Sequence, residues 1–308
     1  MPEVLPGVFR TPDARFAGLP EWPFDPRYLE LADLPGAPGP LRLHYVDEGP
    51  ADAAETVLML HGEPSWSYLY RRMIPVLTAA GHRTVAFDFP GFGRSDKPTD
   101  VRAYSYELHR QALLRVVDAL DLRDVTLVVQ DWGGLVGLPA AALDVPDRVA
   151  RLVVMNTFLP TGEETPSPAF RAWKLAVRLL KTRLPVGPLM RLALPASQRP
   201  FVRAYTAPFP TRASKAGAAA WPLLVPTASG GPVAARMGEA RAALRQWDKP
   251  ALLVWSPQDP ILGGAHRFFG QLLPTAGPAT LVRGGHFLQD TYGAEIAGHA
   301  LGFIDRTR

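Results

Sequence analysis

Two carboxylates and a histidine, each placed just after a run of apolar residues, are the features of this sequence best suited to do chemistry. Asp131 follows the continuous run "VTLVVQ" and opens "DWGGLVG". Asp259 comes shortly after "ALLVWS", in "SPQDP", and His286 after "ATLV", in "RGGHF". A carboxylate is ionised at neutral pH without help from a base, so Asp131 can attack a saturated carbon directly, whereas a serine must first lose a proton. A histidine held by a second carboxylate is the usual means of activating water.

These residues need a frame. The stretches 41–49, 56–62, 151–156 and 251–256 read as strands, several of them apolar throughout, as expected of a parallel sheet buried on both faces. Helical patterns alternate with them, at 67–81, ending on Gly81, and at 107–122. The alternation predicts an α/β fold with a mainly parallel central sheet flanked by helices. Between 157 and 230 the strand-like runs stop and a Pro- and Ala-rich segment of short helices replaces them. The expected organisation is a core of 1–156 and 231–308 with an inserted all-helical cap at 157–230.

Ligands of open parallel sheets sit beyond the carboxyl ends of the strands, and "LHGEPSW", "QDWGG", "SPQD" and "RGGHF" all fall there. Asp131 on a sharp strand-to-helix turn, with Gly133 and Gly134 behind it, matches a nucleophile elbow that has Asp in place of Ser. Val129 stands where many elbows have glycine. The chain order nucleophile, acid, histidine becomes Asp131, Asp259, His286. Taken singly, each has a plain structural reading: Asp131 as a helix N-cap, Asp259 as a turn residue, His286 as a satisfied histidine and Trp173 as core. Their joint appearance in order at successive strand ends selects the catalytic reading.

Composition removes several alternatives. The 308 residues are 47% hydrophobic and 20% charged, a globular balance with ample material for a core. There is no Cys, which excludes disulfides, thiol nucleophiles and Cys-ligated metals, and the seven His form no HxxxH or HxH pair, so no metal site is expected. The net charge of +4 is spread along the chain, and its densest group, Arg171, Lys174, Arg178, Lys181 and Arg183, has the spacing of the wet side of one helix, so no nucleic-acid partner is expected. No stretch is long enough to span a bilayer and no secretory signal opens the chain, which sets the expectation of a cytoplasmic location with no membrane partner; a monomer is the default expectation, with nothing in the residues to fix the oligomeric state.

The segments "HGEPSWSYLYRRMIP", "FPGFGRSDKP", "LVVQDWGG", "AFRAWK", "QDPILG" and "GGHFLQD", in this order from 61 to 290, are similar to those of haloalkane dehalogenases of the α/β-hydrolase superfamily, in the subgroup whose second halide donor is a cap tryptophan. The resemblance implies hydrolysis of a haloalkane to a primary alcohol, a halide ion and a proton, with water as the second reactant and no cofactor or metal. It assigns Asp131 as nucleophile, His286 as general base and Asp259 as its orienting acid. The halide goes to the indole N–H groups of Trp132 and Trp173, which donate and never accept. The backbone N–H groups of Glu63 and Trp132 form the oxyanion hole. The Glu63 side chain is expected to point away towards a partner, or to carry a proton imposed by burial. Phe170, Trp221, Pro222, Val225, Leu262 and Phe287 are expected to line a cavity of modest volume suited to short terminal haloalkanes. The rival reading is an epoxide hydrolase with the same Asp nucleophile, which needs two cap tyrosines where this segment has only Tyr205.

Overall fold

The computed structural model of the chain describes residues 3–308. Its strands are β1 (Val8–Phe9), β2 (Arg27–Leu31), β3 (Leu41–Glu48), β4 (Thr56–Leu60), β5 (Arg83–Phe87), β6 (Lys97–Pro98), β7 (Val125–Gln130), β8 (Val149–Met155), β9 (Ala251–Trp255) and β10 (Thr280–Leu281). Eight of them form one sheet in the order β10-β9-β8-β7-β4-β5-β3-β2. The pairs from β10 to β5 run parallel, and β3 and β2 complete the edge antiparallel. β4 and β7 are buried at every residue, which is why both read as unbroken apolar runs. β1 and β6 make a separate antiparallel pair.

Helices cover both faces. α1 (Ile74–Ala79) packs with α10 (Leu288–Arg306) on one side, and α2 (Tyr106–Ala119), α3 (Trp132–Leu143) and α8 (Pro232–Leu244) pack together on the other. Between β8 and α8 the chain makes α4 (Pro168–Leu180), α5 (Val186–Ala193), α6 (Val202–Thr206) and α7 (Ala216–Leu224), and α9 (His266–Leu272) lies against β9. Ser105 and Ser167 cap α2 and α4 by accepting from Leu108 N and Phe170 N, the usual use of serine at a helix start.

The single helix expected over 67–81 is two pieces: a 3₁₀ turn at Ser67–Tyr70, then α1. Pro75 has no N–H to give, so it fits only in a first turn, and the helix starts beside it. The N–H of Ser67 is taken by buried Asp88, 2.8 Å away, which pins the first piece separately. Among the described residues no helix is long and apolar enough to cross a membrane.

Candidate active site

Asp131 sits between β7 and α3 with φ 50° and ψ −119°, a backbone conformation that few residues other than glycine adopt. It is held there from both sides: its N–H donates to Asn156 O at 3.0 Å, and its carbonyl accepts from Thr157 Oγ1 at 2.7 Å. The turn can be this tight because the two following glycines have no side chain. A Cβ on Gly133 would lie 2.0 Å from Leu60 O, and one on Gly134 2.1 Å from Thr157 Oγ1. The Asp131 carboxyl accepts from Glu63 N at 2.8 Å through Oδ1, and the N–H of Trp132 also acts on it. Burial raises its pKa above the ordinary carboxylate value, opposed by His286 and by those two N–H groups.

His286 meets Asp131 across the sheet ends, its Nε2 3.8 Å from Oδ2, while its Nδ1 is 2.8 Å from Asp259 Oδ2. Asp259 is nearly buried and fully occupied: Oδ1 accepts from Ile261 N and Leu262 N at 2.8 and 3.1 Å, and Oδ2 from Asn156 Nδ2 at 3.0 Å. Burial works against its charge, yet His286 and these donors keep its pKa below the usual value. Burial likewise opposes the charged imidazole, but Asp259 and Asp131 outweigh it and push His286 up to about 9. The three predicted residues thus form one chain of interactions, able to attack with a carboxylate and to activate water with a histidine.

They open on a cavity of about 780 Å³ lined mainly by apolar side chains of the core and of α4, α5 and α7. Phe170, Trp173, Pro222, Val225, Leu262 and Phe287 all line it, with Trp132 and Glu63 beside Asp131. Trp66, Trp221 and Trp255 spend their indole N–H groups on Ala204 O, His109 Nε2 and Leu262 O. Trp132 and Trp173 face the cavity with no protein acceptor among the described residues, so two donors are free for a ligand.

The alpha/beta hydrolase fold family model matches residues 55–291. A haloalkane dehalogenase from Psychrobacter cryohalolentis is 44% identical over 300 residues, covering 96% of this chain and 98% of the relative. One from Mycolicibacterium paratuberculosis is 46% identical over 297 residues, covering 96% and 97%. The chain belongs to the haloalkane dehalogenases. The solved tetrameric structure of the haloalkane dehalogenase DpaA from Paraglaciecola agarilytica NO2 matches with a TM-score of 0.89 at 38% identity, covering 96% of this chain and 98% of that one.

In this dehalogenase fold, two expectations from the sequence need correcting. Trp221 does not line the cavity: it is fully buried, stacked behind Trp132 with ring centroids 4.8 Å apart, and tied to His109. The Glu63 side chain does not point away to a partner: it lines the cavity, where burial and then the charge of Asp131 raise its pKa well above the ordinary carboxylate value, the direction of the other expectation, a proton favoured by burial.

Three residues at the site were not singled out from the sequence. Asn156 bridges Asp259, Gly285 O and Ser256 N. The side-chain amide of Gln130 lies 3.3 Å from His286 Nε2 and donates to His286 O at 3.2 Å. His109 is the buried acceptor behind Trp221. Asn156 and Gln130 share the signal that revealed Asp131, a polar residue closing an apolar strand; His109, on the inner face of a helix, carries none.

Proposed function

We propose that this haloalkane dehalogenase works through Asp131 as nucleophile. Asp131 attacks the carbon that bears Cl, Br or I in line with the carbon–halogen bond, forming an alkyl ester and releasing halide. Trp132 and Trp173 donate to the leaving halide, whose charge grows in an apolar cavity where a fixed donor is worth most. His286, oriented by Asp259, then takes a proton from water as that water attacks the ester carbonyl, and the backbone N–H groups of Glu63 and Trp132 hold the oxyanion. The products are an alcohol, the halide and a proton, and the cycle needs no metal or cofactor. The observation that carries this reading is the pair of cavity-lining tryptophans whose indole N–H groups have no protein acceptor among the described residues, in the same cavity as a carboxylate that follows a buried strand.

The epoxide hydrolase reading lacks the two cap tyrosines it needs. No tyrosine is among the residues lining the cavity, and Tyr205 is buried with its hydroxyl donating to Asp290. The helical segment 157–230 serves as the cap that encloses the substrate, and the volume beneath it admits chains longer than the short haloalkanes first expected. The working assembly is a cytoplasmic monomer, checked by sedimentation equilibrium and cell fractionation; a tetramer, the state given for the DpaA structure, is the outcome that replaces it. The test of function is to incubate the protein separately with ethylene dibromide and with styrene oxide. Bromide release and acidification with the first, and no diol from the second, are expected; diol without halide release overturns the reading.

A further inference from the structure

From Thr165 to its end at Gly230 the cap carries one sign of charge, its only acidic residues being Glu163 and Glu164 just before that stretch. Of the chain's 33 Lys and Arg and 29 Asp and Glu, ten of the former and none of the latter fall between Thr165 and Gly230. The rest of the molecule is therefore net negative, and the modest total of +4 hides a cationic cap on an anionic core. Eight of the ten basic side chains are exposed. Arg171, Arg178, Lys181, Arg183 and Arg191 are among them, and none of these five reaches an acidic partner among the described residues, whereas basic residues of the core are largely paired.

Leucines are exposed in the same place. Five of the eight large apolar side chains that are exposed among the described residues belong to the cap, and the two most exposed, Leu192 at 86% and Leu179 at 71%, are both there. On α4, Arg171, Leu175, Arg178 and Leu179 follow the spacing of a single helix face, and the opposite face sends Phe170 and Trp173 into the cavity. Leu192 is itself part of the cavity rim. Reading the basic residues as the wet side of a helix accounts for Arg171 and Arg178 but leaves the leucines between them facing water.

We propose that this face of the cap docks on an anionic phospholipid surface, with Leu175 and Leu179 in the headgroup boundary, the arginines and lysines against lipid phosphates, and the mouth of the cavity turned towards the bilayer. Apolar side chains interspersed with basic ones form the two-part signal by which a helix lies on a membrane without crossing it, so the absence of a spanning helix is no obstacle. A second copy of the chain is a poor occupant, because two such faces repel each other. A nucleic acid would meet the charge but would strand the leucines against phosphates. If the proposed function is right, the docking has a use: apolar haloalkanes concentrate in lipid, and the enzyme would draw them from the bilayer.

The test is flotation of the full chain with vesicles of phosphatidylcholine alone and of phosphatidylcholine containing phosphatidylglycerol, at low and high salt. Binding to the anionic vesicles, roughly tenfold or more tighter than to the neutral ones and weakened by salt, is expected. Two double variants separate the contributions: R171E with R178E for charge, and L175S with L179S for apolar contact. Each should lower anionic-vesicle affinity roughly tenfold or more, with circular dichroism and halide release from a water-soluble haloalkane unchanged. Equal binding to both vesicle types, no binding, or parental binding by either variant overturns the proposal. So does retention of double-stranded DNA without retention of vesicles, or a dimer that the leucine variant dissociates. Loss of halide release from the parent protein counts against the proposed function and leaves the vesicle result to be judged by itself.

Discussion

His286 Nε2 stands 3.8 Å from Asp131 Oδ2, too far for a hydrogen bond and close enough for each charge to stabilise the other. The contact exists only while Asp131 is a free carboxylate. Once Asp131 is an ester its charge is gone, and one of the two groups that push the imidazole up to about 9 is lost with it. The chemistry of the first step therefore prepares the base for the second. Hydrolysis of the intermediate should rise with pH through a His286 pKa below that of the free enzyme, because less is left to hold the proton. Alkylation should fall at acid pH as Asp131, whose own pKa is raised, takes up a proton. Rapid-quench single turnovers across pH measure both steps; an intermediate whose hydrolysis titrates at or above about 9 sinks this account.

Removal of the base should separate the steps completely. In His286→Ala a haloalkane is expected to release about one equivalent of halide per site and stop, leaving an alkyl adduct on the peptide that contains Asp131. Intact-mass and peptide mass spectrometry check this, with Asp131→Ala as the silent control. A folded His286→Ala protein that releases no halide and carries no adduct would mean that water attacks the carbon directly.

Trp173→Phe keeps most of the ring and removes a donor at the halide. The expected loss is about 2.7 kcal/mol or less in halide binding, since a halide departing with partial charge needs less than a full oxyanion. Bromide quenching of the remaining tryptophan fluorescence gives the affinity. An affinity equal to that of the parent takes Trp173 out of the halide site.

Trp221 supports the site from behind. Trp221→Phe should retain the stack on Trp132 and lose the hydrogen bond to His109, costing about 1 kcal/mol of stability or somewhat more because His109 is left buried and unpaired. Trp221→Ala should cost about 3–5 kcal/mol through the cavity it leaves. Urea unfolding compares the two; equal midpoints for both variants and the parent contradict the buried placement.

The triad could be found from sequence because each member is a polar residue close behind an apolar strand, a place where the sheet order leaves room for a ligand. Apolar runs also marked β4 and β7, whose burial on both faces leaves no polar alternation to confuse the pattern. β2 was not foreseen: its residues "RYLEL" are mostly half-exposed or exposed, and its pairing with β3 is a long-range matter of register. The orientation of Trp221 was out of reach for a related reason. Helix α7 is apolar nearly all round, so periodicity does not say which side meets the cavity, and the partner that decides it, His109, lies 112 residues earlier. For Glu63 the sequence left two readings open, a side chain turned to a partner or one protonated through burial, because the degree of burial that decides between them depends on long-range packing.

The backbone at Asp131 sets activity against durability. With φ 50° and ψ −119° an aspartate is under strain there of about 1–3 kcal/mol, held in place by the sheet on one side and α3 on the other. Glycine adopts such angles freely. Asp131→Gly should therefore be inert towards haloalkanes and yet unfold at a higher temperature than the parent, even after losing the bond from Glu63 N. Selection for thermal robustness alone would drive this position away from aspartate, and only turnover of substrate keeps it there.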